Sequence, residues 1–178
     1  MPSNRWSRAL SSLVRTLTGG RRRTPAPGVA SPPAGRRATS GTVPAYPGDF
    51  AGTLRPEYSP RLDGDADPGE VVWTWVPYED DHARGKDRPV LVVGRDGAWL
   101  LGLMLTSKDH DLDAAQEARW GRYWMDVGAG AWDGQGRASE VRLDRVVRID
   151  PAAVRREGAI LPRATFDRVV AGLRAHGH

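Results

Sequence analysis

Residues 89–105 read PVLVVGRDGAWLLGLML, and the fold turns on this stretch. Pro89 to Val93 is a β-branched run that follows Arg88, Arg95-Asp96-Gly97 supplies a tight turn, and Ala98 to Leu105 is apolar again. Two apolar runs of strand length joined by a glycine turn predict an antiparallel hairpin. Upstream, Val71 to Val76 (VVWTWV) is rich in β-branched and aromatic residues and stops at Pro77, and the charged segment Tyr78 to Asp87 reads as the loop into the hairpin. Downstream, Arg122 to Val127, Ser139 to Leu143 and Arg145 to Ile149 are further candidate strands, with Val141, Leu143, Val147 and Ile149 broadly at period two.

The connecting segments carry different signals. Ser107 to Arg119 (SKDHDLDAAQEAR) is polar, a loop with room for one helical turn, and Gly128 to Gly136 is too glycine-rich for regular structure. Pro162 to His176 predicts a helix: Phe166, Val169, Val170 and Leu173 form a stripe, Pro162 stands near the first turn and Gly177 just past the end. Short strands followed by one helix, without βαβ alternation, point to a mainly β (α+β) fold, a small and partly open antiparallel barrel.

Charge divides the chain at Asp67. Residues 1–66 hold ten Arg or Lys against four Asp or Glu, whereas residues 67–178 hold 16 against 18, so the basic character belongs to the N-terminal part. That part also carries the runs RRRTPAPG, ASPPAGRR and VPAYPG. Three regions follow: 1–20, a short basic amphipathic segment with Trp6, Leu10, Leu13, Val14 and Leu17 on one helical face; 21–66, a disordered Pro/Gly/Arg-rich linker; and 67–178, the barrel domain. Residues 1–23 suit either an unstructured tail or contact with a membrane surface or partner. A mildly acidic domain requires any nucleic-acid site to be local.

The chain has no cysteine, which excludes disulfides, thiol nucleophiles and cysteine-ligated zinc. No run approaches the ~20 apolar residues that span a bilayer. The expected location is the cytoplasm, with peripheral membrane association through the tail as the variant.

Three segments in order, PGEVVWTWVPYE (68–79), GKDRPVLVVG (85–94) and WLLGLMLTSKDHD (99–111), together with the closing helix, resemble the PemK/MazF family of toxin endoribonucleases. The likeness covers about 110 residues and leaves out the tail. It implies an SH3-like barrel, usually a homodimer, acting as the toxin of a type II toxin-antitoxin system. Such a toxin cuts single-stranded RNA sequence-selectively without metal or other cofactor, is blocked by an antitoxin protein, and meets DNA only as the toxin-antitoxin complex.

Cleaving RNA through its own 2′-hydroxyl requires removal of that proton, protonation of the leaving 5′-oxygen, and stabilisation of charge on the pentacoordinate phosphate. Arg88, with its permanently charged fork, suits the last task; the competing expectation is an ion pair with Asp87 or Asp81. Thr106 and Ser107 offer hydroxyls to the phosphate, and the resemblance makes Thr106 the second catalytic residue. Arg84, Lys86, Lys108, His110 and Trp132 are candidate RNA contacts, Trp132 as the tryptophan most exposed for base stacking in its glycine-rich loop. Asp109-His110-Asp111 has no second cluster at ligand spacing, so no metal is expected. Better-known family members carry a Glu-Gln pair shortly before the arginine, where this chain has Asp81, His82, Ala83, Arg84, Gly85 and Lys86. That departure leaves open an altered base preference, or a catalytically degenerate SH3-like module that binds nucleic acid or protein.

Overall fold

The computed structural model describes residues 45–61, 63–108 and 114–177, apart from the side chains of 114, 115 and 156–158. The amphipathic segment 1–20, the linker up to residue 44, and His110 lie outside the described residues.

Strand β1 (Glu70–Pro77) pairs antiparallel with β2 (Gly85–Asp96), and β2 with β3 (Trp99–Thr106). A short helix, α1 (Ala114–Arg119), leads to β4 (Trp124–Gly128), β5 (Ser139–Arg142) and β6 (Val147–Ile149). After one 3-10 turn at Pro151–Ala153 come β7 (Arg156–Ile160) and the closing helix α2 (Arg163–Ala175). The sheet order is β4-β5-β3-β2-β1-β7, with β6 also on β3. Because β3 carries β6 along Leu100 to Gly102 and β5 at Leu105 and Thr106, the sheet curls around it. Gly102, between these two pairings, leaves no room for a side chain: a Cβ built there would lie 2.5 Å from Val90 Cγ1 and 2.6 Å from Ile149 Cδ1.

Both faces of the hairpin are buried, which explains its nearly continuous apolar sequence. Leu91, Val93, Leu101, Leu103 and Leu105 face a larger core shared with α2 through Phe166, Val169 and Leu173. Val90, Val92, Leu100 and Met104 face a second core with Val72, Val76, Val147 and Ile149. The helix ends as its sequence predicts, with Gly177 at positive φ just beyond it.

The structure corrects the division at Asp67. Residues 45–61, read as part of the linker, are strapped to the barrel: Phe50 N–H donates to Val146 O, Glu57 N–H to Val93 O, and the Tyr58 hydroxyl to Leu161 O. Leu54 is buried in the larger core, against which Phe50 and Tyr58 also pack. Further along, the fully buried Glu70 carboxylate accepts from Arg61 N–H at 2.7 Å and Asp67 N–H at 3.2 Å, tying the strap to the start of β1. Isolated anchors on an extended, proline-rich path bury apolar area without the periodicity that would announce them.

Candidate active site

The site forms where the second core runs out. Along β2 that face presents Val92, Val90 and then Arg88; along β3 it presents Leu100, Gly102, Met104 and then Thr106. Val90 is paired with Met104, so continuing the register by two residues sets Arg88 opposite Thr106. Thr74 pairs with Arg88 on the other side, Thr106 with Glu140, and Glu140 with Asp126. Alternation along each strand brings all five side-chain positions to one face in one cross-strand row.

Arg88 and Thr106 are half-buried and border a cleft of about 520 Å³. Lys86, Ser107 and Lys108 line it as well, so five of the eight sequence-derived candidates converge on one place. The Thr106 hydroxyl oxygen accepts the Lys108 N–H at 3.2 Å, which leaves its own proton for a ligand. The ion pair anticipated for Arg88 does not form: Asp87 pairs with Arg155 at 2.6 Å, and Asp81 accepts from Ala83 N–H. Asp87 nevertheless lines the cleft, and its Oδ1 is buried without a hydrogen-bond partner.

Two candidates fall elsewhere. Arg84 sits over the Tyr78 ring, 5.8 Å from its centroid, and does not line the cleft. Trp132 is a correction: it is 2% exposed, inside the larger core, so its ring has no free face for a base. Its Nε1–H donates to Ser139 Oγ at 3.1 Å, and its carbonyl accepts from Trp73 Nε1–H at 2.8 Å. The surrounding glycines do not expose the indole; they let the backbone close over it, since a Cβ at Gly130 would come within 2.0 Å of the ring. Among the described residues, the exposed tryptophans are Trp75 at 46% and Trp120 at 71%.

Sequence reasoning missed the opposite wall of the cleft, Asp133, Arg137 and Ser139. Arg137 reaches Asp133 at 2.7 Å, and this bond, reinforced by backbone N–H donors from Gln135 and Arg137, holds the Asp133 carboxyl down at about 2. Arg137 was hidden in a glycine-rich loop whose only sequence signal was irregularity. Counting both walls, Lys86, Arg88, Lys108 and Arg137 face two carboxylates, each already engaged by an arginine. A locally cationic, hydroxyl-bearing cleft in a domain without net positive charge suits a phosphate group.

A curled antiparallel half-barrel with a C-terminal helix and a cation-lined cleft at its strand ends places the molecule among small SH3-like barrels. Within that class, residues 67–176 match the profile of the PemK-like, MazF-like toxins of type II toxin-antitoxin systems, and the chain belongs to this family. Similar solved structures include MazE-MazF (Form-II) and MazF (Form-I) from Deinococcus radiodurans, each 20% identical over 64% of this chain and 96% of that chain, with TM-scores of 0.44 and 0.46. Mycobacterium tuberculosis toxin MazF-mt6 is 15% identical over 60% of this chain and 94% of its own, with a TM-score of 0.41. A search of curated proteins gave no match. Among the described residues, no helix is long and apolar enough to cross a membrane.

Proposed function

We propose that this chain is an endoribonuclease toxin that cuts single-stranded RNA in the cleft between Arg88 and Thr106. The observation that carries the reading is the placement of a half-buried guanidinium, relieved of its neighbouring carboxylates, across one strand pair from a hydroxyl with a proton to give. A phosphodiester seated there would receive charged donors from Arg88 and a hydrogen bond from Thr106, with Lys86 and Lys108 along the flanking phosphates.

In the reaction, the substrate's 2′-oxygen attacks phosphorus and the bond to the 5′-oxygen breaks. The proton lost by the first oxygen is balanced by the one the second gains, so the products carry a 2′,3′-cyclic phosphate and a 5′-hydroxyl. Arg88 stabilises the charge on the equatorial oxygens, which suits a group whose pKa makes it a poor base. As a member of a family of toxins from type II toxin-antitoxin systems, it would meet an antitoxin whose segment covers the cleft, and its working form would be a homodimer.

The test is full-length protein incubated with a long RNA in EDTA, followed by end analysis. We expect cyclic-phosphate and 5′-hydroxyl ends and a rate loss of about 100-fold or more for Arg88→Ala. Cutting that survives Arg88→Ala refutes the assignment. RNA that is bound but stays intact would identify the chain as the degenerate binding module.

A further inference from the structure

The cleft offers its cations to a phosphate, yet it holds two carboxylates as well, Asp87 and Asp133. An unpaired carboxylate beside a phosphate repels it. Asp133 is bound within its own loop by Arg137, which also lines the cleft. In the second cleft that Arg88 borders, of about 400 Å³, Arg142 bonds Glu79 at 2.8 Å and Asp144 at 2.6 Å. Asp87 is bonded differently: its arginine comes from outside.

That arginine, Arg155, lies 68 residues further along the chain and is not a wall of either cleft. It stands just before β7, where its backbone N–H donates to Trp73 O at 2.9 Å, on the β7 side of β1. Asp87 belongs to β2, on the other side of β1, where it is paired with Trp75. The Arg155 side chain therefore reaches over β1, and its Nη1 donates to Asp87 Oδ2 at 2.6 Å. Two strand spacings amount to roughly 10 Å, which calls for a long side chain. Among the described residues Arg155 is the one donor to this carboxylate, and Asp87 Oδ1 is buried without a partner.

With side chains 61% and 37% exposed, the pair contributes little to folding. Its effect on the cleft is larger. Asp87 directly precedes Arg88, so its charge lies within a Debye length of a phosphate held by Arg88. Alternation sends the two side chains to opposite faces of β2, which keeps Asp87 from bonding Arg88 but not from opposing it through space.

We propose that Arg155 is a positioning residue of the RNA site: from outside the cleft it cancels the charge of Asp87, so that Arg88 meets the phosphate undiminished. This role rests on the reading of the cleft as an RNA site. It carries a specific consequence, because the arginine is needed only while Asp87 is charged, and Asp87→Asn makes it dispensable.

The test uses full-length protein and an uncleavable 2′-O-methyl oligonucleotide of mixed sequence, with binding read by fluorescence anisotropy at low and at high salt. Arg155→Ala is expected to bind about three- to tenfold more weakly at low salt, and the gap narrows as salt rises. Arg155→Lys retains most of the affinity, and the double variant Arg155→Ala with Asp87→Asn regains that of the parent. Parental affinity for Arg155→Ala overturns the role while leaving the RNA site in place. A double variant as weak as Arg155→Ala also overturns it, since the guanidinium would then act on RNA directly or through the fold. A parent that binds no RNA, or that binds it equally well after Arg88→Ala, overturns the RNA reading and this role with it.

Discussion

Replacing Trp132 by alanine separates a core indole from one held out for a base. The side chain is 2% exposed and its N–H is bonded to Ser139 Oγ, itself on a residue only 3% exposed. Truncating a buried tryptophan costs ~3–5 kcal/mol in lost transfer energy and residual cavity. Leaving the Ser139 hydroxyl without its donor adds about 1 kcal/mol. Trp132→Phe retains most of the ring and loses the N–H, so it should cost only about 1–2 kcal/mol. Urea unfolding followed by far-UV circular dichroism reads these differences. With a slope of about 2 kcal/mol per molar, a loss of 4 kcal/mol lowers the midpoint by about 2 M. That is a large share of the ~5–15 kcal/mol available to a domain. Trp120→Ala, at the exposed end of α1, should stay within about 0.5 kcal/mol of the parent, and Trp132→Phe should bind RNA as the parent does. The reasoning fails if Trp132→Ala leaves the midpoint unmoved while weakening RNA binding by the ~1–3 kcal/mol that a stacking aromatic supplies.

Gly102→Ala should destabilise the fold by ~1–3 kcal/mol, because its methyl would press on Val90 and Ile149 inside the second core; an unchanged thermal midpoint would show that the curl of β3 has slack. The strap gives a pH signature through Asp49, whose carboxylate accepts from Arg145 Nε at 2.7 Å and from the Tyr46 hydroxyl. Burial alone would raise the Asp49 carboxyl, but Arg145 and Tyr46 more than reverse this and hold it below its ordinary range. A depressed folded-state pKa means the contribution is complete above the unfolded value of ~3.9 and drains away as pH falls through the folded value. Asp49→Asn should therefore cost about 2 kcal/mol near neutrality, less than a fully buried pair because Asp49 is partly open to water, and should flatten the stability curve below about pH 4. Denaturant titrations at pH 6, 4 and 3 check this, and parallel curves for the two proteins would exclude the assignment.

The parts of the molecule legible in the sequence are those held by repeated local pattern. The hairpin of β2 and β3 and the stripe of α2 stand where their residues predict, except that β2 begins at Gly85, inside the charged segment read as a loop, because backbone pairing with β1 extends it. Strand β7 escaped notice because REGAI has no alternating apolar face. Its place comes from backbone pairing with β1, through a register that shifts between Val71 and Val72. The strap escaped for a related reason. Phe50, Leu54 and Tyr58 seat one by one on a non-repeating path, so their apolar contribution is invisible to any periodic reading. Trp132 misled because glycines around an aromatic were taken to mean exposure, when here they permit the backbone to approach the ring.

The cleft divides along the same physical line. Thr106 ends β3 and Arg88 lies near the start of β2, so their proximity follows from a hairpin register set by the turn at Gly97 and corrected by the one bulge between Val92 and Gly94. Arg142, Glu79 and Asp144 could not be found that way, since Arg142 and Glu79 are 63 residues apart. They meet only because β3 curls far enough to take β5 beside it. The pair that would grip the phosphate is thus local in sequence, while the Arg142 cluster beside it is assembled by topology.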